Sequence, residues 1–378
     1  MNNAFGFAIV VATIVVSALA GTSAHAFPDM IRHNYVNCTA CHVAPTGGGV
    51  LNAYGRSMSN EVLSSWGSER EVEFLHGTLA ENKIPEWLNI GGDIRGIQVH
   101  RESPDKLSER FFIMQSSLEL ATTFQRLTAV MSVGYADPVA KAIRWTVSPR
   151  YYLLWNPVDE LGIRAGRFTP VFCINVPYHT LPTRQSLGFS PGQERDTLES
   201  VWSGETWNLA ASLSQTPQRP VATQQRETLV TAQVNRTFAD SYRAGVSYLK
   251  GTTQDFGREA LGVHALLGIS EKLSYITEFT LQKLTPANLS ASSPATTGLY
   301  HFSQLLYEIK KGWNVYLMED YEKSNLENSG TLSNSLGPGI RFFPRPHFEL
   351  DAVFLKRRAA SIADRYDDFA WILIHYYF

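Results

Sequence analysis

The stretch Leu127-Thr128-Ala129-Val130-Met131-Ser132-Val133-Gly134-Tyr135 decides how this chain folds. Leu127, Ala129, Met131, Val133 and Tyr135 share one face, with Thr128, Ser132 and Gly134 on the other. A period of two marks a half-buried β-strand, because successive side chains of a strand point to opposite sides. The same alternation recurs along the chain. Phe112, Met114, Leu118 and Leu120 alternate with Gln115, Ser117 and Glu119, and Leu273, Tyr275, Phe279 and Leu281 with Ser274, Glu278, Thr280 and Gln282.

Sixteen such segments follow Leu88: 88–100, 109–121, 126–136, 142–155, 159–172, 194–203, 206–215, 226–238, 241–251, 258–268, 272–284, 299–309, 313–323, 332–343, 347–357 and 368–378. Ordinary globular strands run about 5–6 residues. These are long enough for tilted strands that cross a bilayer, which need about 9–11. Short connections such as Asn156-Pro157-Val158 and Ala239-Asp240 alternate with long ones such as Cys173–Gln193 and Thr285–Gly298. That asymmetry belongs to transmembrane barrels, with turns on one rim and loops on the other. In lipid an open sheet edge is forbidden, so the barrel must close. The last segment puts Ala370, Ile372, Ile374, Tyr376 and Phe378 on one face, which resembles the assembly signal of bacterial outer-membrane barrels. A secreted sandwich or propeller would also alternate, but would need separate reasons for the strand length, the loop asymmetry and the final aromatic. The expected fold is therefore all-β, an antiparallel transmembrane barrel of about 16 strands around an aqueous lumen.

Composition agrees. Among 378 residues 44% are hydrophobic and only 18% charged, which is low for a soluble chain of this length. A net charge of −2 provides no basic stripe, so no nucleic-acid partner is expected. Three Cys exclude a disulfide framework. Residues 1–26 read as a secretory signal: an apolar run from Phe5 to Ala20 and an Ala24-His25-Ala26 cleavage site, although Met1-Asn2-Asn3 lacks the usual positive charge.

Two of the three Cys stand in Cys38-Thr39-Ala40-Cys41-His42. The C-x-x-C-H spacing is that of covalent c-type haem attachment. Two thiols add across the haem vinyl groups, and the adjoining imidazole binds the iron. Export supports this, since c-type haem is attached outside the cytoplasm. Thioredoxin-like exchange would expect a βαβ context, and a zinc site would need four N/S ligands. Gly47-Gly48-Gly49 lets the backbone lie close to a flat ring, and residues 57–79 read as helical, with Val62, Leu63, Trp66, Phe74 and Leu75 for one face. Residues 27–86 are then a monohaem segment, too small for a strong core of its own. For the sixth iron ligand His33 and Met58 are the main candidates, with His76 and Met30 also in reach. Arg32 and Arg56 could pair with propionates.

The long connection after the fifth strand carries Pro177, Pro182, Gly188, Pro191 and Gly192. Its position and length are similar to the inward loop of sixteen-stranded porins, so Arg184, Glu194 and Arg195 could line a constriction; solvated surface charges are the alternative. Cys173 at its start reads as a buried small residue, not a catalytic thiol. Arg164-Ala165-Gly166-Arg167-Phe168 is similar to a segment of phosphate-selective porins.

One haem motif ahead of a sixteen-strand barrel (residues 87–378) resembles the fused outer-membrane cytochrome–porins, best known from iron-oxidising bacteria. The resemblance rests on the architecture and on Cys38 to Arg56. It implies one covalent haem c on Cys38 and Cys41, with His42 as proximal ligand, in the barrel lumen or at its periplasmic mouth. The implied activity is electron transfer across the outer membrane between a periplasmic cytochrome or other carrier and an extracellular redox partner, iron among the candidates. That describes an electron-transfer protein more than a substrate-turnover enzyme such as a peroxidase. A solute-diffusion porin with a haem-bearing plug or redox sensor is the alternative.

Overall fold

The computed structural model describes residues 28–73, 84–103, 106–136, 150–176, 178, 181–190, 192–217, 226–287, 294–358, 360 and 365–378. The signal segment 1–26 lies outside them. Sixteen strands form one closed antiparallel barrel in which each pairs with its sequence neighbours and the first with the last. They are β1 Leu88–Ser103, β2 Lys106–Phe124, β3 Leu127–Ala136, β4 Tyr151–Val158, β5 Leu161–Phe168, β6 Arg195–Ser203, β7 Trp207–Gln215 and β8 Thr228–Phe238. The second half comprises β9 Tyr242–Thr252, β10 Phe256–Ser270, β11 Leu273–Pro286, β12 Thr296–Lys310, β13 Trp313–Lys323, β14 Leu332–Phe342, β15 Phe348–Arg358 and β16 Asp367–Tyr377.

Each of the sixteen expected segments holds a strand. The seam is closed by register Asp93↔Tyr377 to Glu102↔Asp368, and by reciprocal bonds between Gly92 and Phe378 (N···O 3.1 and 3.0 Å). Tight turns such as Ala239-Asp240, both at positive φ, join strands on one rim. On the other rim β5 and β6 are joined by 169–194. That rim also has two short connections, β1–β2 and β9–β10. β1 and β2, 16 and 19 residues long, make up the first as an extended hairpin.

The alternation becomes two surfaces. Along β8, Val230 and Val234 face outward while Leu229, Thr231, Gln233 and Asn235 are buried inward. Outward Leu198, Leu213, Leu261, Leu281, Ile372 and Ile374 are exposed, as are Trp155, Trp202 and Trp207 near the short-turn rim. So much exposed apolar surface, edged by aromatics, is what a bilayer requires.

Two expectations change. In β2 the register to β1 slips between Arg95 and Gly96, leaving Met114 as an extra residue. The faces therefore switch there, and Phe111 and Ile113 are the exposed side chains in place of Phe112 and Met114. β5 stops at Phe168, not 172, because the chain turns inward and Val171 N–H is taken by the Glu199 carboxylate (3.1 Å). Inside the lumen, described residues of the 28–73 segment and of the loop after β5 bond to the wall. That wall accordingly carries buried polar groups such as Glu119, Arg164, Glu199, His264 and Glu278.

Because Val263 sits mid-strand on the outer face of β10, Val263→Arg should cost about 2–4 kcal/mol, and Thr228→Arg at the loop-side end of β8 only about 0–1 kcal/mol. Denaturant titration of folding into lipid vesicles measures both.

Candidate functional site

Cys38–Ala40 forms a single 3₁₀ turn, closed by Cys41 N–H (3.2 Å) and His42 N–H (2.9 Å) donating to Cys38 O. The chain then loops and returns beside itself: His42 pairs with Leu51, Val43 N–H donates to Val50 O (3.0 Å), and Asn52 N–H to Cys41 O (3.0 Å). Asn52 organises the exit. Its amide donates to Ala40 O (2.7 Å), and its Oδ1 accepts from Gly55 N–H (2.8 Å), capping helix α1 (Ala53–Met58). Inside the loop Gly47, Gly48 and Gly49 all have positive φ, between 71° and 80°. A Cβ on Gly47 would stand 3.1 Å from Cys38 Sγ, so the glycine run does bring backbone against the first thiol.

The helix expected over 57–79 is not continuous. Instead α1 starts at Ala53, runs into a π-turn at Ser59–Leu63, and breaks before α2 (Glu69–Val72); 74–79 lie outside the described residues. The break has a cause in the barrel rim. Ser65 and Trp66 give their N–H groups to Phe343 O (2.8 Å) and Pro344 O (3.1 Å) in the β14–β15 turn, instead of to the helix. Lys311 Nζ donates to Asn60 O (2.8 Å), and Arg345 pairs with Glu71 (3.1 Å). The segment is thus fastened at the short-turn rim.

Deeper contacts run around the wall. Arg32 pairs with Glu308 of β12 (2.9 Å) and donates to Asn314 of β13 (3.1 Å). Arg243 of β9 donates to Val36 O, and Arg164 of β5 to Thr46 Oγ1 (2.6 Å). Glu119 of β2 is ion-paired with Arg150, and a Cβ on Gly49 would stand 2.9 Å from its carboxylate. Arg32 and Arg56 are both buried, Arg32 on the wall and Arg56 donating to Leu51 O (3.2 Å), so neither is a solvated surface cation.

Cys38 and Cys41 are unbridged thiols. Cys41 packs in a buried cluster with Met30 and Met58. Burial pushes its thiol up to about 11 and the His42 imidazole down to about 4. His42 is therefore neutral near pH 7, the form that binds metal. Its ring bonds the Gly49 backbone, while Nδ1 is buried without a hydrogen-bond partner. Two thiols one turn apart and an imidazole with a spare nitrogen fit a covalent haem. Among the described residues no three His, Cys, Asp or Glu side chains converge as a chelating set. Covalent haem asks for none, since the thiols bond the porphyrin and one imidazole meets the iron. Of the sixth-ligand candidates, Met58 and Met30 lie against Cys41, whereas His33 turns toward Glu308, 3.9 Å away. His76 is outside the described residues.

The 169–194 loop crosses the lumen. Cys173 N–H donates to Ser247 Oγ (3.0 Å), Ile174 N–H to Glu278 (2.9 Å), and Gln233 to Cys173 O (2.8 Å). Arg184, in the helical turn α3 (Pro182–Gln185), is buried and donates to Phe172 O and Ile174 O (both 3.1 Å) and Phe189 O (3.0 Å). Arg195 pairs with Glu227 (2.7 Å), and Glu194 accepts from Gly192 N–H (3.0 Å). Arg184 thus ties the loop to itself, Arg195 ties the start of β6 to Thr216 and Glu227, and Glu194 bonds locally within the loop. Cys173 is buried as expected, with Gly262 leaving room for its sulfur. The contacts of Arg164, Arg243 and Glu119 with the 28–73 segment are not visible in sequence; period two marks the inward face but not what that face meets.

No family model matches the chain, and no curated protein sequence does. Among solved structures it is similar to the outer membrane channel DcaP of Acinetobacter baumannii (14% identity, TM-score 0.58, covering 77% of this chain and 97% of that one). It is likewise similar to an anion-selective porin from Comamonas acidovorans (11%, 0.57, 77% and 99%) and to OprB of Pseudomonas putida (9%, 0.58, 77% and 94%). At such identities the shared property is the fold, a closed porin-type barrel.

Gly47→Val forces a side chain into the left-handed region beside Cys38, and should cost about 1–3 kcal/mol from the backbone alone, plus the crowding of the sulfur. Gly192→Val has a similar φ, and a Cβ there meets nothing within 4 Å, so it carries the backbone cost only. Urea midpoints of the two variants separate the terms.

Proposed function

We propose that this chain transfers electrons across the bacterial outer membrane through a single c-type haem held in the lumen of its barrel. Cys38 and Cys41 would hold the haem by thioethers, and His42 would bind its iron. The observation that carries this reading is the C-x-x-C-H turn, with two free thiols and an imidazole nitrogen left unpartnered, enclosed by a barrel. When bound, the haem supplies one-electron chemistry.

The chain's own residues do the rest. The exposed apolar belt and the porin-type fold fit the outer membrane. The belt of such a barrel is about 25 Å tall, so a haem confined to the periplasmic surface would be remote from an outer donor. Fastening the segment within the lumen shortens that distance to both sides. The rim bonds of Ser65 and Trp66 leave one side of the segment near the periplasmic mouth, where a soluble carrier can approach. The crossing loop, pinned by Glu199, Ser247 and Glu278, would lie between the haem and the outer side. An extracellular partner, iron among the candidates, would exchange electrons beyond that loop.

A solute-diffusion porin with a haem-bearing plug is the second reading, favoured by the likeness of the barrel to solute channels. Planar-bilayer conductance separates them. A conduit passes little ion current, and its transfer to an extracellular acceptor falls to background in His42→Ala. Open-channel conductance, together with transfer unchanged in His42→Ala, would reject the conduit.

A further inference from the structure

The haem loop and the crossing loop meet at one ion pair of the wall. Arg164 of β5 and Glu199 of β6 face each other across the sheet register, with Arg164 Nε 2.8 Å and Nη2 2.7 Å from Glu199 Oε1. Both are almost wholly buried, at 3% and 1% exposure. Each reaches a different loop. Arg164 Nη2 donates to Thr46 Oγ1 (2.6 Å), in the loop that joins His42 to Leu51. Glu199 Oε2 accepts from Val171 N–H (3.1 Å), where the crossing loop leaves β5. Asn175 of the crossing loop closes the circuit by contacting Thr46 O at 3.5 Å. The guanidinium is fixed further by lying over the Phe168 ring, 3.8 Å from its centroid, and near Tyr152, 5.4 Å away. It is also close enough to act electrostatically on the Cys38 thiol, as Arg243 does.

We propose that Arg164 and Glu199 are a positioning pair that locks the haem loop to the crossing loop and tunes the haem's reduction potential. The inference rests on the haem reading above. A buried pair bonded to Thr46, whose neighbour Gly47 packs against Cys38, has little water around it, so its charges act strongly on a nearby redox centre. Reduction adds negative charge, which the Arg164 cation favours and the Glu199 carboxylate opposes. In the pair the two nearly cancel; removing one leaves the other uncompensated. A purely structural tie has no reason to give effects of opposite sign.

The test is a redox titration of the Soret and α bands in purified, haem-loaded protein. Glu199→Gln keeps an oxygen for Val171 and should raise the midpoint potential. Arg164→Gln should lower it, and the double variant should return it toward wild type. Thr46→Val, which removes only the hydroxyl that anchors Arg164, should lower it by less and serves if the buried variants fail to fold. Single variants that shift the potential in the same direction, or a set including Thr46→Val that does not shift it, would overturn the pair's role while leaving the haem reading intact. Wild-type protein exported with its haem-attachment machinery that carries no covalent haem would overturn both.

Discussion

Every backbone N–H and C=O that enters hydrocarbon must be paired within the protein, and in this chain that condition is met at the contact between β1 and β16. The reciprocal bonds of Gly92 with Phe378, and the ten-residue register above them, turn a meander into a barrel. Everything else depends on that closure. It gives the apolar half of each strand a lipid surface, and it gives the polar half an enclosed space that the rest of the chain can use.

The enclosed face is a binding surface for two pieces of the same protein. Neither the 28–73 segment nor the 169–194 loop has a large core of its own. Each is held by wall side chains that substitute for missing backbone partners: Glu199, Ser247 and Glu278 for the loop, and Arg243 and Arg164 for the segment. A buried charge is costly unless paired; Arg164 is paired with Glu199, and elsewhere on the wall Arg32 with Glu308 and Arg195 with Glu227. The barrel thus supplies the walls that the short N-terminal segment lacks, and the C-x-x-C-H turn is held in an environment that keeps its imidazole neutral and its thiols protonated.

Much of this was legible beforehand because both signals are local. Period two is a property of the strand itself, so β13 was bounded residue for residue at 313–323, and the haem motif needs only five consecutive positions. Errors arose where a distant group intervened. The face switch at Met114 is set by a register slip against Arg95 and Gly96. The helix expected over 57–79 was interrupted because carbonyls of the β14–β15 turn, some 280 residues away, compete for Ser65 and Trp66. Arg184 lies in a loop, where sequence gives no hint that the carbonyls of Phe172, Ile174 and Phe189 will enclose it.

The sequence by itself determined the sixteen strands, the outward and inward sets of side chains, and the position of Cys38, Cys41 and His42, since all of these follow from spacing along the chain. Only the tertiary structure decided which wall residues touch the 28–73 segment and the loop after β5. It also brought Met58 and Met30 against Cys41 while turning His33 to the wall. The physical reason is that these outcomes hinge on which polar groups become buried together, and burial is a property of the closed barrel, not of any one segment.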